Sequence, residues 1–133
     1  MTAGYSGTPL AKKLGIMPGA SIMPIGAPDA YLEWVSPLPE GVRTVPKGPA
    51  DLVHLFVTSR AALEAALPQV RAAIPPDGAI WVSWYKKTAK IPTDVTEDVI
   101  RDMALRGDLV DVKVCAVTDQ WSGLKLVVRK ALR

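Results

Sequence analysis

The chain has 133 residues, 49% of them hydrophobic and 22% charged, with a formal net charge of +3. That length suits one domain whose core needs no staples, and a single cysteine, Cys115, excludes an internal disulfide and fits a reducing compartment. The mild positive charge permits an anionic partner without requiring one. No run approaches the roughly 18 apolar residues of a membrane span, and the N-terminus lacks a signal-peptide pattern, so a cytoplasmic protein without a membrane role is expected.

Thr8-Pro9 predicts a helix start, with threonine as cap and proline at the first helical position; Gly15 ends a short helix over "PLAKKL". Residues 1–19 therefore read as a lead with one short helix. "ASIMPI" (Ala20 to Ile25) predicts the first strand, and "DAYLEWV" a helix with Leu32 and Val35 inward. After the turn "PLPEG", "VRTV" makes a short second strand. "DLVHLFV" (Asp51 to Val57) is apolar on both faces, as in a central parallel strand covered by helices on each side.

Ser59 caps the next helix, Arg60 to Ile74, in which Leu63, Leu67, Val70 and Ile74 recur at helical spacing. Pro68 predicts a kink there, or two short helices end to end. Asp77-Gly78 is a turn, followed by the strand "AIWVSWY". Asp94 with Glu97 three residues on predicts a capping box for a helix through about Leu105, and Gly107 a stop. "LVDVKVCAV" and "LKLVVRKAL" are two strands joined by "TDQWSG", a link too short for a parallel crossover, so they are antiparallel.

Strands alternating with helices over 1–133 predict one α/β domain with a doubly wound, mostly parallel sheet of about six strands. The strand "ADLVHLFVTS" after an early βαβ unit, the strand "GAIWVSW" behind a Pro-Asp-Gly turn, and the closing antiparallel hairpin resemble a shortened Rossmann-like methyltransferase fold. The resemblance implies a spatial strand order of 2-1-3-4-6-5, with one edge strand and its helix missing where "VRTV" passes almost directly to "DLVHLFV". More closely, "GYSGTPLAKKLGI", "ADLVHLFVTSRAALEAALP", "PTDVTEDVIRDMAL" and "LVDVKVCAV" resemble an uncharacterised bacterial family, domain of unknown function 3052. That resemblance implies a fold and a bacterial, cytoplasmic setting, and carries no catalytic residues.

Dinucleotide sites need G-x-G-x-x-G after the first strand so that backbone can approach the pyrophosphate, and methyltransferases use a similar glycine-rich turn. Here "PIGAPDAY" offers only Gly26, and "VPKGPA" puts Lys47 where an acid normally meets the ribose. Both departures argue against adenosylmethionine or NAD held in the usual way, and no cofactor is assigned. In doubly wound folds the ligand crevice lies outside the strand carboxyl ends. The candidates there are Gly26, Ala27 and Asp29 after the first strand, and Thr58, Ser59 and Arg60 after the third. Lys86, Lys87 and Lys90 follow the fourth.

Trp84 and Tyr85 beside the lysines suit stacking on a base next to a phosphate, although as strand residues they equally suit the core. The modest total charge argues against nucleic acid and favours a smaller anion. His54, mid-strand, reads as a buried, hydrogen-bonded imidazole, and Cys115 as a core residue. No spacing of metal ligands occurs. Trp121 at the hairpin is read either as an exposed partner contact or as folded back onto the sheet. Three functions stay open: a non-catalytic binding or regulatory module for an anionic ligand, a divergent adenosylmethionine-dependent methyltransferase, and a structural protein-interaction subunit.

Overall fold

A computed structural model describes residues 8–133, so the first seven residues of the N-terminal lead lie outside it. Six strands form one mixed sheet: β1 (Ser21–Ile25), β2 (Arg43–Thr44), β3 (Leu52–Phe56), β4 (Ala79–Tyr85), β5 (Leu109–Ala116) and β6 (Trp121–Val128). Their order is β2-β1-β3-β4-β6-β5. The first four strands are parallel, and β6 runs antiparallel to both β4 and β5. The short 117–120 link forces that reversal, because a parallel return needs a crossover.

Helices cover both faces, which is why every residue of β3 is buried. On one face Val53, Leu55, Ile80 and Val82 pack with Leu63, Leu67 and Val70 of α3 (Arg60–Ala72) and Ile100 of α4 (Glu97–Arg106). On the other, Leu52, Phe56 and Trp81 pack with Leu10 and Leu14 of α1 (Leu10–Leu14) and Tyr31 of α2 (Tyr31–Trp34). Trp81 is fully buried, and its indole N–H donates to the Leu14 carbonyl at 2.9 Å, which ties α1 to the sheet.

Local expectations fail at several places. α1 begins one residue late: Pro9 stands in the cap position, and its carbonyl accepts from Lys12 and Lys13. α2 is a single turn, too short to carry two inward positions, so Val35 is buried while Leu32 is 52% exposed. Pro68 lies inside one uninterrupted α3. It is exposed, so the Glu64 carbonyl that loses its partner faces the solvent side of the helix. Thr96, not Asp94, caps α4, accepting from Val99 N–H at 3.2 Å. β6 starts at Trp121, so Trp121-Ser122-Gly123 belongs to the strand and not to the hairpin tip.

The chain passes from edge strand β2 over β1 to β3 through residues 45–51, with no helix between. This direct crossover lies on the end of α3, where Ala50 N–H donates to the Ala73 carbonyl at 2.8 Å. A Cβ on Gly48 would stand 2.7 Å from that same carbonyl oxygen and 2.8 Å from the Ala73 Cβ. Backbone leaves little room to yield there. Gly48→Ala is therefore expected to destabilise the fold by about 1–3 kcal/mol, the range for forcing a methyl into packed space. Chemical denaturation of the variant beside the parent chain checks it, through the midpoint at unchanged slope.

Candidate functional site

β4 delivers its carboxyl end at Trp84-Tyr85, and strand alternation sends the two rings to opposite faces. Trp84 enters the α3/α4 core and is buried, while also lining a cleft beyond the strand end. Tyr85 turns to the α1/α2 face and is half-buried, stacked on Trp121 with ring centroids 4.0 Å apart. Trp121 is only 5% exposed, so it has folded back onto the sheet.

After β4 the chain makes a short 3-10 turn over Lys87–Ala89 and reverses at Lys90, whose φ is 57°. Lys90 is the only non-glycine residue with positive φ among the described residues, a conformation in which lysine carries a steric cost. The segment then returns along Ile91, Pro92 and Thr93 to α4. The resulting cleft holds about 730 Å³. Lys86, Lys87 and Lys90 line it together with Trp84, Tyr85, Ile91 and Val95, and Glu97 and Asp98 line it from the first turn of α4. The three lysines outnumber those two carboxylates, and Arg101 offsets part of the carboxylate charge. Both are ion-paired to Arg101, Asp98 at 2.8 Å, and the same guanidinium reaches Asp111 on β5 at 2.9 Å. Hydrogen bonding to Asp111 and Glu97 holds the Arg101 proton more firmly than usual, so the guanidinium stays charged.

Thr58, Ser59 and Arg60 follow β3 beside the far end of this loop and do not line the cleft, and the chain itself uses the Thr58 carbonyl, the Ser59 hydroxyl and the Arg60 N–H. Ser59 Oγ accepts from Ala62 N–H at 3.1 Å, the expected cap. The Arg60 N–H donates to the Asp94 carboxylate at 2.7 Å, and Thr93 Oγ1 donates to the Thr58 carbonyl at 2.8 Å. The anion at the α3 N-terminus is thus the protein's own Asp94, which sequence spacing had assigned to the wrong helix. Gly26 and Asp29 do not join the lysines. They line a separate crevice of about 400 Å³ with Pro24, Tyr31 and Thr44. At Gly26, φ is +67° and a Cβ would lie 2.9 Å from the Phe56 carbonyl oxygen, so this turn needs glycine for its own packing.

His54 is fully buried in a chain of hydrogen bonds that sequence reading expected without its partners. Nδ1 meets the Tyr31 hydroxyl at 2.9 Å and Nε2 meets Ser83 Oγ at 2.7 Å. Burial lowers the His54 pKa to about 3 and pushes the Tyr31 hydroxyl up, so both stay neutral at pH 7. Burial likewise pushes the Cys115 thiol up, against the opposing pull of Lys13, Lys113 and Lys86, which keeps it protonated rather than nucleophilic. Among the described residues no group of three or more histidine, cysteine or carboxylate side chains is placed to hold a metal ion.

The strand order, the reversed closing strand and crevices at the carboxyl edge define a Rossmann-like, methyltransferase-type α/β fold. Solved methyltransferases share it. The chain superposes on the pyocyanin biosynthetic protein PhzM with a TM-score of 0.63 at 13% identity, covering 92% of this chain and 55% of PhzM. It superposes on an S-adenosylmethionine-dependent methyltransferase from Aquifex aeolicus with a TM-score of 0.62 at 11% identity, covering 88% of this chain and 87% of that one. With the mitomycin 7-O-methyltransferase MmcR the TM-score is 0.61 at 10% identity, covering 90% and 53%. The chain thus spans about half the length of PhzM and MmcR. At such identities the likeness shows the fold. No protein-family model matches the chain, and no curated protein matches it.

Two outcomes follow. His54 is the single histidine. Its folded pKa lies below the ordinary 6.5, so between pH 6.5 and about 3 the unfolded chain binds a proton that the folded chain refuses. Stability is complete above pH 6.5 and falls as the pH drops, by up to about 1.4 kcal/mol per unit. Thermal melts between about pH 7.5 and pH 5, above the carboxylate range, should show this slope, and His54→Gln should flatten it. Asp94→Ala should cost about 1 kcal/mol by removing the acceptor for the Arg60 N–H, read as a lower denaturation midpoint.

Proposed function

We propose that the protein is a non-catalytic binding or regulatory module that takes an anionic ligand in the cleft beyond β4. One observation carries this reading: Lys86, Lys87 and Lys90 line a single cleft at the carboxyl edge while the carboxylates that share it are held by Arg101. The edge where this fold class binds ligands therefore carries a small excess of positive charge, set next to an aromatic and apolar lining that lowers the local dielectric. The other crevice supports the same conclusion. Its turn has one glycine, and the helix after β1 has four residues, too few to aim a helix N-terminus at a cofactor.

A second reading is a divergent methyltransferase, favoured by the fold shared with S-adenosylmethionine-dependent enzymes. It would place its donor in the crevice of Gly26, Asp29 and Thr44. A third, a protein-interaction subunit, draws on edge strand β5, where Val112 and Val114 are more than half exposed. The resemblance to domain of unknown function 3052, and the bacterial, cytoplasmic setting that goes with it, belong to the same proposal. No described helix is long and apolar enough to cross a membrane.

Calorimetric titration with inorganic phosphate, citrate and thymidine 5′-monophosphate tests the first reading. At least one should bind, with affinity that falls as salt rises. Lys86→Ala with Lys87→Ala should weaken it about tenfold or more. Lys90→Gly is a cleaner deletion, because glycine adopts the Lys90 backbone conformation freely, so the side chain and its ammonium are lost without backbone strain. Binding that survives these changes would move the site elsewhere. A rise in melting temperature at saturating adenosylmethionine would favour the methyltransferase reading instead.

A further inference from the structure

Charge is divided between the two faces of the sheet. The ion pairs of Arg71, Arg101 and Arg106 lie among α3, α4, Asp108 just before β5 and Asp111 of β5. On the α1 face of the β5–β6 hairpin there are lysines instead. Lys113 and Lys125 stand directly opposite each other across the two strands, where like charges repel. Lys13 lies above them: its ammonium donates to the Ala116 carbonyl at 2.8 Å, and Lys113 Nζ reaches the Lys13 carbonyl at 3.4 Å. Among the described residues no carboxylate pairs with Lys13, Lys113 or Lys125.

The cluster and the cleft approach each other at the end of the β4–β6 pair. The Lys86 N–H donates to the Gln120 carbonyl at the hairpin tip, and the Cys115 thiol, on the same face as Lys113, feels Lys13, Lys113 and Lys86 together. At the junction stands Tyr85, which lines the cleft and has Trp121 stacked behind its ring. Lysines in a row that begins at a supported aromatic ring match the two demands of a single-stranded nucleic acid, phosphate neutralisation and a platform for a base.

We infer that the lysine cleft and the Lys13/Lys113/Lys125 cluster form one track for single-stranded nucleic acid, with a base at Tyr85 and the backbone running over β6 and β5. The inference rests on the cleft being an anion site and names its ligand class. It also explains a repelling lysine pair on adjacent strands: the charge is neutralised by the ligand and not by the protein.

The test is fluorescence anisotropy of the full chain with a labelled oligothymidylate about ten nucleotides long, within the span of known single-strand sites. Thymidine 5′-monophosphate is titrated in parallel. The oligonucleotide should bind at least about tenfold more tightly than the monophosphate. Lys113→Gln with Lys125→Gln should weaken the oligonucleotide about tenfold or more and reduce the salt slope by about 1.4, the value for two single-strand phosphate contacts. The same change should leave monophosphate affinity within about twofold, and an unchanged melting temperature should show the fold intact, since relief of the lysine pair offsets loss of the long, exposed Lys113 bond to the Lys13 carbonyl. Lys13→Gln alone should weaken the oligonucleotide in the same direction. Monophosphate binding with no gain for the oligonucleotide would overturn the track and leave the cleft standing. No binding of phosphate, citrate, monophosphate or oligonucleotide would overturn both. Displacement by polyglutamate as effective as by unlabelled oligonucleotide would also overturn it, because the surface would then read charge alone.

Discussion

Two hydrogen bonds fasten the lysine segment to the neighbouring turn: Thr93 Oγ1 to the Thr58 carbonyl, and the Asp94 carboxylate from the Arg60 N–H. Everything proposed for the carboxyl edge depends on them. Between Tyr85 and Thr96 the chain has one short 3-10 turn and no longer regular element to hold it. Val95, almost wholly buried, anchors one end in the core, and the pairing of Lys86 N–H with Gln120 anchors the other. A loop fixed at both ends can hold its ammonium groups along one wall, which removes much of the ordering cost that binding would otherwise carry. The same Asp94 completes the α3 N-terminus beside Ser59, so cleft geometry and helix stability share an atom.

The fold is unequal across its width. On the β1/β2 side the sheet has shrunk: β2 has two residues, α2 one turn, and the crossover to β3 lies as bare backbone on the end of α3. On the β4/β6/β5 side the strands run to seven and eight residues, with α4 packed across them. A donor-type site would have to be built on the depleted half. The cleft, the aromatic stack and the lysine cluster all belong to the complete half. The one buried imidazole, His54, is held between Tyr31 and Ser83, with both ring nitrogens occupied.

Much of this architecture was legible in the sequence. The α/β class followed from the alternation of elements and the antiparallel last pair from the short link, while the strand order 2-1-3-4-6-5 came from the resemblance to a methyltransferase-type fold. Central burial of "DLVHLFV" followed from its apolar run. Errors fell where one residue had two local roles. Asp94 fits a capping box by spacing, yet its carboxylate serves a helix that begins 34 residues earlier, and no local rule anticipates that partner. "TDQWSG" has turn composition, but cross-strand packing of Trp121 on Tyr85 and Phe56 draws its second half into β6. Helical spacing in "DAYLEWV" points Leu32 inward, but α2 is too short to have a second inward turn. The candidate site was legible as an edge of the sheet and not as a cavity: the structure separates Gly26 and Asp29 from the lysines because β1 and β4 lie on either side of β3. Strand alternation, applied to Trp84 and Tyr85, would have separated their roles.

The central claim is that the cleft beyond β4, not the crevice beyond β1, receives an anion. Backbone amide NMR of the full chain, titrated with inorganic phosphate at low salt, asks this directly. The expected result is saturable shifts along Lys86 to Asp98, with the amides of Gly26 to Leu32 unmoved. Shifts confined to Gly26 to Leu32, or none at either place, would contradict the account.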